Sequence, residues 1–146
     1  MLRYLRLSAA LLTAPALAQT GYQAVDPFIG TGGEGHTYPG AVAPFGMVQL
    51  SPDTDTTCVV RDCYPHAAGY RYEDKTIQGF SHTHFSGAGH SDLGDFLIMP
   101  AAGDAIALEP GRADAPGSGY RSRFSHDGEV AQPGYYAVTL IDPQVR

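Results

Sequence analysis

Apolar positions in this chain come in short runs, each cut off by glycine or proline within a few residues. The runs "MVQLS" (47–51), "AGYRYE" (68–73), "KTIQGF" (75–80), "DFLIMP" (95–100), "YRSRF" (120–124) and "GYYAVTLI" (134–141) have the length and the β-branched or aromatic content of strands. In the last run Tyr135, Ala137 and Thr139 fall on one face, and Tyr136, Val138 and Leu140 on the other. Beyond the first twenty residues, no segment carries a 3.6-residue apolar stripe through three turns. Eighteen glycines and eleven prolines break any longer helical pattern. The pattern predicts an all-β fold, an antiparallel β-sandwich whose strands are joined by long structured loops. There is no internal repeat and no low-complexity tract, and "ADAPGSG" (113–119) reads as a loop.

The amino terminus stands apart. Arg3 and Arg6 precede an apolar run of about a dozen residues that ends in "ALA" at Ala16–Ala18. This reads as a signal peptide over residues 1–18, too short and too interrupted by Pro15 to span a bilayer. Export to the periplasm or the extracellular space follows, with one domain over residues 19–146. That domain is expected to be incomplete, because the sequence stops at "LIDPQVR" directly after a strong strand. Without the leader, 7 basic residues face 15 acidic ones, a net charge of −8. Such a balance disfavours nucleic acid and anionic membrane surfaces as partners and leaves neutral ligands such as sugars open. Export also makes a disulfide between Cys58 and Cys63 plausible, since their spacing is not that of paired zinc ligands.

Two stretches carry candidate chemistry. "GTGGEG" (30–35) satisfies a dinucleotide-binding pattern in letters only, since Pro27 precedes it and "HTYPG" follows where a helix should begin. Its glycines, Gly32, Gly33 and Gly35, are expected instead to shape a tight loop that aims His36 into a site. Tyr38 and Phe45 suit either a sugar platform or, more simply, core packing. "GFSHTHFSGAGHSDLGD" (79–95) contains an H-x-H pair, His82 and His84, whose imidazoles would share a face on a strand. Metal ligation completed by Asp92 or Asp95, polar lining of a pocket, and simple loop architecture all remain open for it. No pair of carboxylates is singled out as acid and base, and no G-x-S-x-G nucleophile elbow is present.

Taken together, "VDPFIGTGGEGHTYPGAVAPFGMVQLSPDT" and "GYRYEDKTIQGFSHTHFSGAGHSDLGDFLIMP" resemble the N-terminal region of family 92 glycoside hydrolases, which are secreted, calcium-dependent exo-α-mannosidases. The resemblance implies an N-terminal β-sandwich followed by an (α/α)₆ barrel, with an inverting active site between them. The catalytic acid, the base and most calcium contacts would then belong to the barrel, which this sequence lacks. This chain would supply His36, His82 and His84 as substrate-pocket or interface groups, with Asp92 and Asp95 holding their loop and no catalytic or metal-ligating residue of its own. The expected partners are a mannose-containing glycan and the barrel domain. Two other readings compete: a free-standing carbohydrate-binding sandwich, and a small metal-dependent hydrolase built on His82, His84 and Asp92.

Overall fold

A computed structural model describes residues 21–55, 64–87, 96–103 and 107–142. The leader reading (1–18), the Cys58–Cys63 pair, and Asp92 and Asp95 lie outside the described residues. Within them the regular structure is eight short strands: β1 (Ala41–Ala43), β2 (Val48–Asp53), β3 (Thr76–Ile77), β4 (Gly79–Ser81), β5 (Leu97–Ile98), β6 (Ser122–Arg123), β7 (Glu129–Gln132) and β8 (Tyr135–Val138). The only helical pieces among the described residues are two 3-10 turns, Tyr64–His66 and His126–Gly128. All strand pairs are antiparallel. Four strands form one sheet in the order β1-β2-β4-β5, while β3-β6 and β7-β8 form two ribbons. The all-β antiparallel class is therefore as the pattern predicts.

Individual strands differ from the sequence reading in instructive ways. "KTIQGF" divides into β3 and β4, which belong to different sheets. "AGYRYE" is not a strand. Gly69 there adopts φ +81°, and the segment bonds irregularly, with the Gly69 carbonyl accepting from Thr54 N–H and Tyr72 N–H donating to the Thr31 carbonyl. Tyr70 is nonetheless the most buried aromatic side chain in the molecule's core cluster. Strands β1 and β7 escaped the pattern because Ala-Val-Ala and Glu-Val-Ala-Gln carry too little apolar bulk to register as runs.

The apolar core is small. Tyr70, Ile77, Phe124, Val138 and Leu140 form its centre, with Phe28, Tyr38, Phe80, Met99 and Tyr136 packed around them. In β8 and the residues after it Val138 and Leu140 are buried and Tyr135 is exposed, the alternation read from sequence. Seven hydrophobic residues are fully buried among the described ones, against twelve polar or charged residues. Hydrogen bonding must therefore organise this interior as much as apolar packing does, because every buried polar group needs a partner.

Two hubs do much of that organising. The Arg121 guanidinium, 4% exposed, donates to the Thr54 carbonyl, to Thr76 Oγ1 at 3.3 Å and to Gln78 Oε1 at 3.2 Å, with Asp55 Oδ1 at 3.6 Å. It thereby ties the end of β2 to β3. The Glu129 carboxylate, 1% exposed, accepts from Tyr70 Oη at 3.0 Å and from Tyr136 Oη, and pairs with His126 Nδ1 at 2.6 Å. Burial, followed by the Glu129 charge and hydrogen bond, holds both tyrosine hydroxyls far above their ordinary pKa, so each stays a donor.

Candidate functional site

The glycine-rich loop and the H-x-H stretch meet in the fold. Gly87 N–H donates to the His36 carbonyl at 2.8 Å, fastening the two segments together. The first loop folds back on itself: Gly35 N–H reaches the Gly32 carbonyl at 3.1 Å, and Thr37 N–H reaches the Gly30 carbonyl at 3.2 Å. Gly33 has φ +56° and its N–H donates to Glu73 Oε1 at 2.9 Å. A Cβ on Gly35 would sit 2.1 Å from the Gly30 carbonyl oxygen, so only glycine permits the crossing. That Gly33 hydrogen bond, foremost among its causes, also holds the Glu73 carboxyl below the usual range.

This loop delivers His36 in a left-handed backbone conformation, φ +49°, which a non-glycine residue rarely adopts. The imidazole is buried and meets the Tyr64 ring edge-on, with centroids 4.4 Å apart. Its Nε2 lies 3.5 Å from the exposed Glu34 carboxylate and has no hydrogen-bond partner within the described chain. His82 is half-buried, its ring tilted against Phe96 at 5.2 Å and its Nδ1 likewise without a hydrogen-bond partner.

His84 is a different case. It follows β4 by three residues, no longer on the strand, and its side chain is 2% exposed. Nδ1 donates to the Gln49 carbonyl at 2.8 Å. Nε2 faces both Asp53 Oδ1 at 3.1 Å and Ser81 Oγ at 3.2 Å. A serine, a histidine and an aspartate therefore gather, but not as a catalytic relay. In a relay the serine and the carboxylate occupy opposite ring nitrogens; here they share one. With Nδ1 committed, Nε2 donates to Asp53 when the ring carries two protons and accepts from Ser81 when it carries one. The cluster braces β2 against β4, whose Ser51 and Ser81 lie opposite each other. Both His84 ring nitrogens are thus engaged inside the domain and water does not reach them, so the side chain has an internal bracing role.

No described residues assemble three or more His, Cys, Asp or Glu side chains able to hold a metal. The carboxyls that move from their ordinary pKa move downward. For Asp74 burial pushes up, but hydrogen bonds from His66, 2.7 Å away, and from Thr54 outweigh it. For Asp142 the hydrogen bond from Arg123 dominates. A general acid needs the opposite displacement. A cavity of about 540 Å³ is lined by Leu50, Phe80, Tyr136, Val138 and Leu140. Its walls are almost wholly apolar and offer a sugar few hydrogen bonds.

Residues 24–146 match the family described as "Glycosyl hydrolase family 92 N-terminal domain". A family GH92 alpha-mannosidase from Bacteroides thetaiotaomicron is 54% identical and superposes with a TM-score of 0.73, over 81% of this chain and 15% of that one. It has also been solved in complex with mannoimidazole. A second protein from the same organism, a GH92 inverting mannosidase, is 25% identical with a TM-score of 0.55, covering 86% of this chain and 16% of its own. An uncharacterized secreted glycosidase of Arthroderma benhamiae is 30% identical over 120 residues, 80% of this chain and 14% of that protein. The chain thus spans about one seventh of the length of these relatives. It belongs to glycosyl hydrolase family 92, as the N-terminal domain of that family.

Proposed function

We propose that this domain forms one wall of the substrate crevice in an exported, inverting α-mannosidase that removes terminal α-linked mannose from glycans. The observation that carries this reading is the mannosidase relative, 54% identical across four fifths of the chain and solved in complex with mannoimidazole. An inverting glycosidase needs a raised-pKa acid on one face of the sugar and a base on the other. Both buried carboxylates among the described residues, Asp53 and Glu129, are bonded to neighbouring side chains of the domain, which supports placing the acid and the base on another part of the enzyme. Calcium, where the enzyme binds it, holds sugar hydroxyls from outside this domain. Export agrees with the leader reading of residues 1–18 and with the secreted relative. The domain's own contribution is positional. The crossed loop at Gly30–His36, pinned by Gly87 N–H, holds His36, and the bend after β4 holds His82, each with one buried ring nitrogen that has no hydrogen-bond partner within the described chain.

The test is a hybrid in which residues 24–146 replace the matching segment of the 54%-identical mannosidase. The hybrid should hydrolyse an aryl α-mannoside, and His36→Ala and His82→Ala should each raise KM several-fold. Retention of the parent kcat/KM by both variants would remove these residues from the crevice.

A further inference from the structure

The hairpin that joins β1 to β2 is the least explained feature of the fold. Met47 N–H donates to the Pro44 carbonyl at 3.0 Å, closing a two-residue turn in which Phe45 has φ +53° and Gly46 φ +76°. Positive φ at both central positions defines a type I′ turn, which asparagine, aspartate or glycine fills comfortably. A phenylalanine there is a backbone outlier. Its side chain touches nothing: Phe45 is fully exposed and Met47 is 74% exposed. The chain thus accepts strain in order to hold an aromatic ring out in water.

The surroundings say what kind of surface the ring is meant for. From Thr37 to Pro52 the sequence has no charged residue, although the chain carries 24 elsewhere. Strand β1 is an edge of its sheet, yet it lacks the lysines or other charges that protect free edges in soluble proteins. The tip, Ala43 to Met47, has no hydrogen-bonding side chain, and the Gly46 carbonyl is already taken by Gln49 Nε2. A sugar platform needs polar groups beside the aromatic ring; this tip has none. An apolar protein pocket needs a rigid, uncharged, aromatic knob.

We propose that the Phe45–Met47 tip is the anchor by which this domain docks into an apolar pocket on the rest of the family's polypeptide. The relatives supply the occupant. The matched family is named as an N-terminal domain, and about 85% of the 54%-identical mannosidase lies outside the matched segment. The inference rests on the reading that a second body accompanies this domain, but not on the reading that His36 and His82 face the sugar.

Phe45→Asn tests it, since asparagine accepts the left-handed backbone while removing the ring. In the 146-residue chain alone, Phe45→Asn should leave the melting temperature unchanged or raise it. In the hybrid enzyme the same change should lower the melting temperature and speed proteolytic separation of the two parts by roughly tenfold or more. Met47→Ser should act in the same direction more weakly. Equal losses in both contexts would reduce Phe45 to a folding residue and overturn the proposal. So would a dimer of the isolated chain that Phe45→Asn dissolves, which would make the occupant a second copy. A raised KM for longer mannosides with unchanged hybrid stability would equally overturn it in favour of a glycan platform.

Discussion

Gly69→Ala is the sharpest probe of the polar interior. Gly69 has φ +81°, and a Cβ there would lie 2.4 Å from Asp53 Oδ1 and 2.8 Å and 2.9 Å from His84 Cδ2 and Nε2. Both neighbours are buried side chains of the brace between β2 and β4, so neither can swing into solvent. The new methyl must displace the Asp53 carboxylate by nearly an ångström and break its 3.1 Å bond to His84. Losing a buried hydrogen bond to a charged group costs about 1.5–3 kcal/mol. The left-handed backbone costs alanine about a further 1 kcal/mol, partly offset by the reduced entropy of the unfolded chain. The net expectation is a loss of about 2–4 kcal/mol. Gly134→Ala is the matched control, because Gly134 has φ +76° with nothing within 4 Å of its added Cβ. It should cost only about 1 kcal/mol. Urea unfolding of the two variants, followed by circular dichroism, isolates the crowding from the backbone strain. If the two agree within about 0.5 kcal/mol, the crowded Asp53–His84 brace does not exist in solution.

Other consequences follow from the same interior. Glu129→Ala strands two tyrosine hydroxyls and His126 Nδ1, and should destabilise the domain by about 3–5 kcal/mol in the same denaturation experiment. Glu129→Gln, which still accepts from the tyrosines, should lose less, and equal losses would count against the hub. The folded-state pKa values of Glu73, Asp74 and Asp142 lie below their ordinary values of 4.5, 3.8 and 3.8. Their stabilisation is therefore complete above about pH 5 and fades as the pH falls through and below 4. Asp74→Asn should make the melting temperature less sensitive to acid between pH 5 and pH 3, and an unchanged acid slope would refute that assignment.

Much of the fold was legible because its strands announce themselves by alternation. "GYYAVTLI" gave both the faces and the buried side, since Val138 and Leu140 are large and Tyr135 is amphipathic. The failures share a cause. "AGYRYE" has strand-like composition, but Gly69 must turn left-handed to clear Asp53 and His84, a constraint invisible until the partner strand is in place. Phe45 looked like core because aromatic residues usually are, and only the I′ turn shows that it points outward. The H-x-H pair was read as one face of a strand. The strand ends at Ser81, so His84 turns inward while His82 stays near the surface. Arg121 carried no local signal, because its bonded partners lie 43 to 67 residues away in sequence, and Glu129 joins two local partners, His126 and Tyr136, to a Tyr70 that lies 59 residues away. The crossed glycine loop was the exception. The density of glycine before His36 has little other physical use.

In the proposed function this domain shapes a mannoside crevice while the proton-transferring carboxyls sit on another part of the enzyme. Incubating the purified 146-residue chain with an aryl α-mannoside and with α-linked mannobiose, in the presence and absence of calcium, tests that directly. No release of mannose is expected in either condition. Calcium-dependent turnover by the chain alone would contradict the proposal.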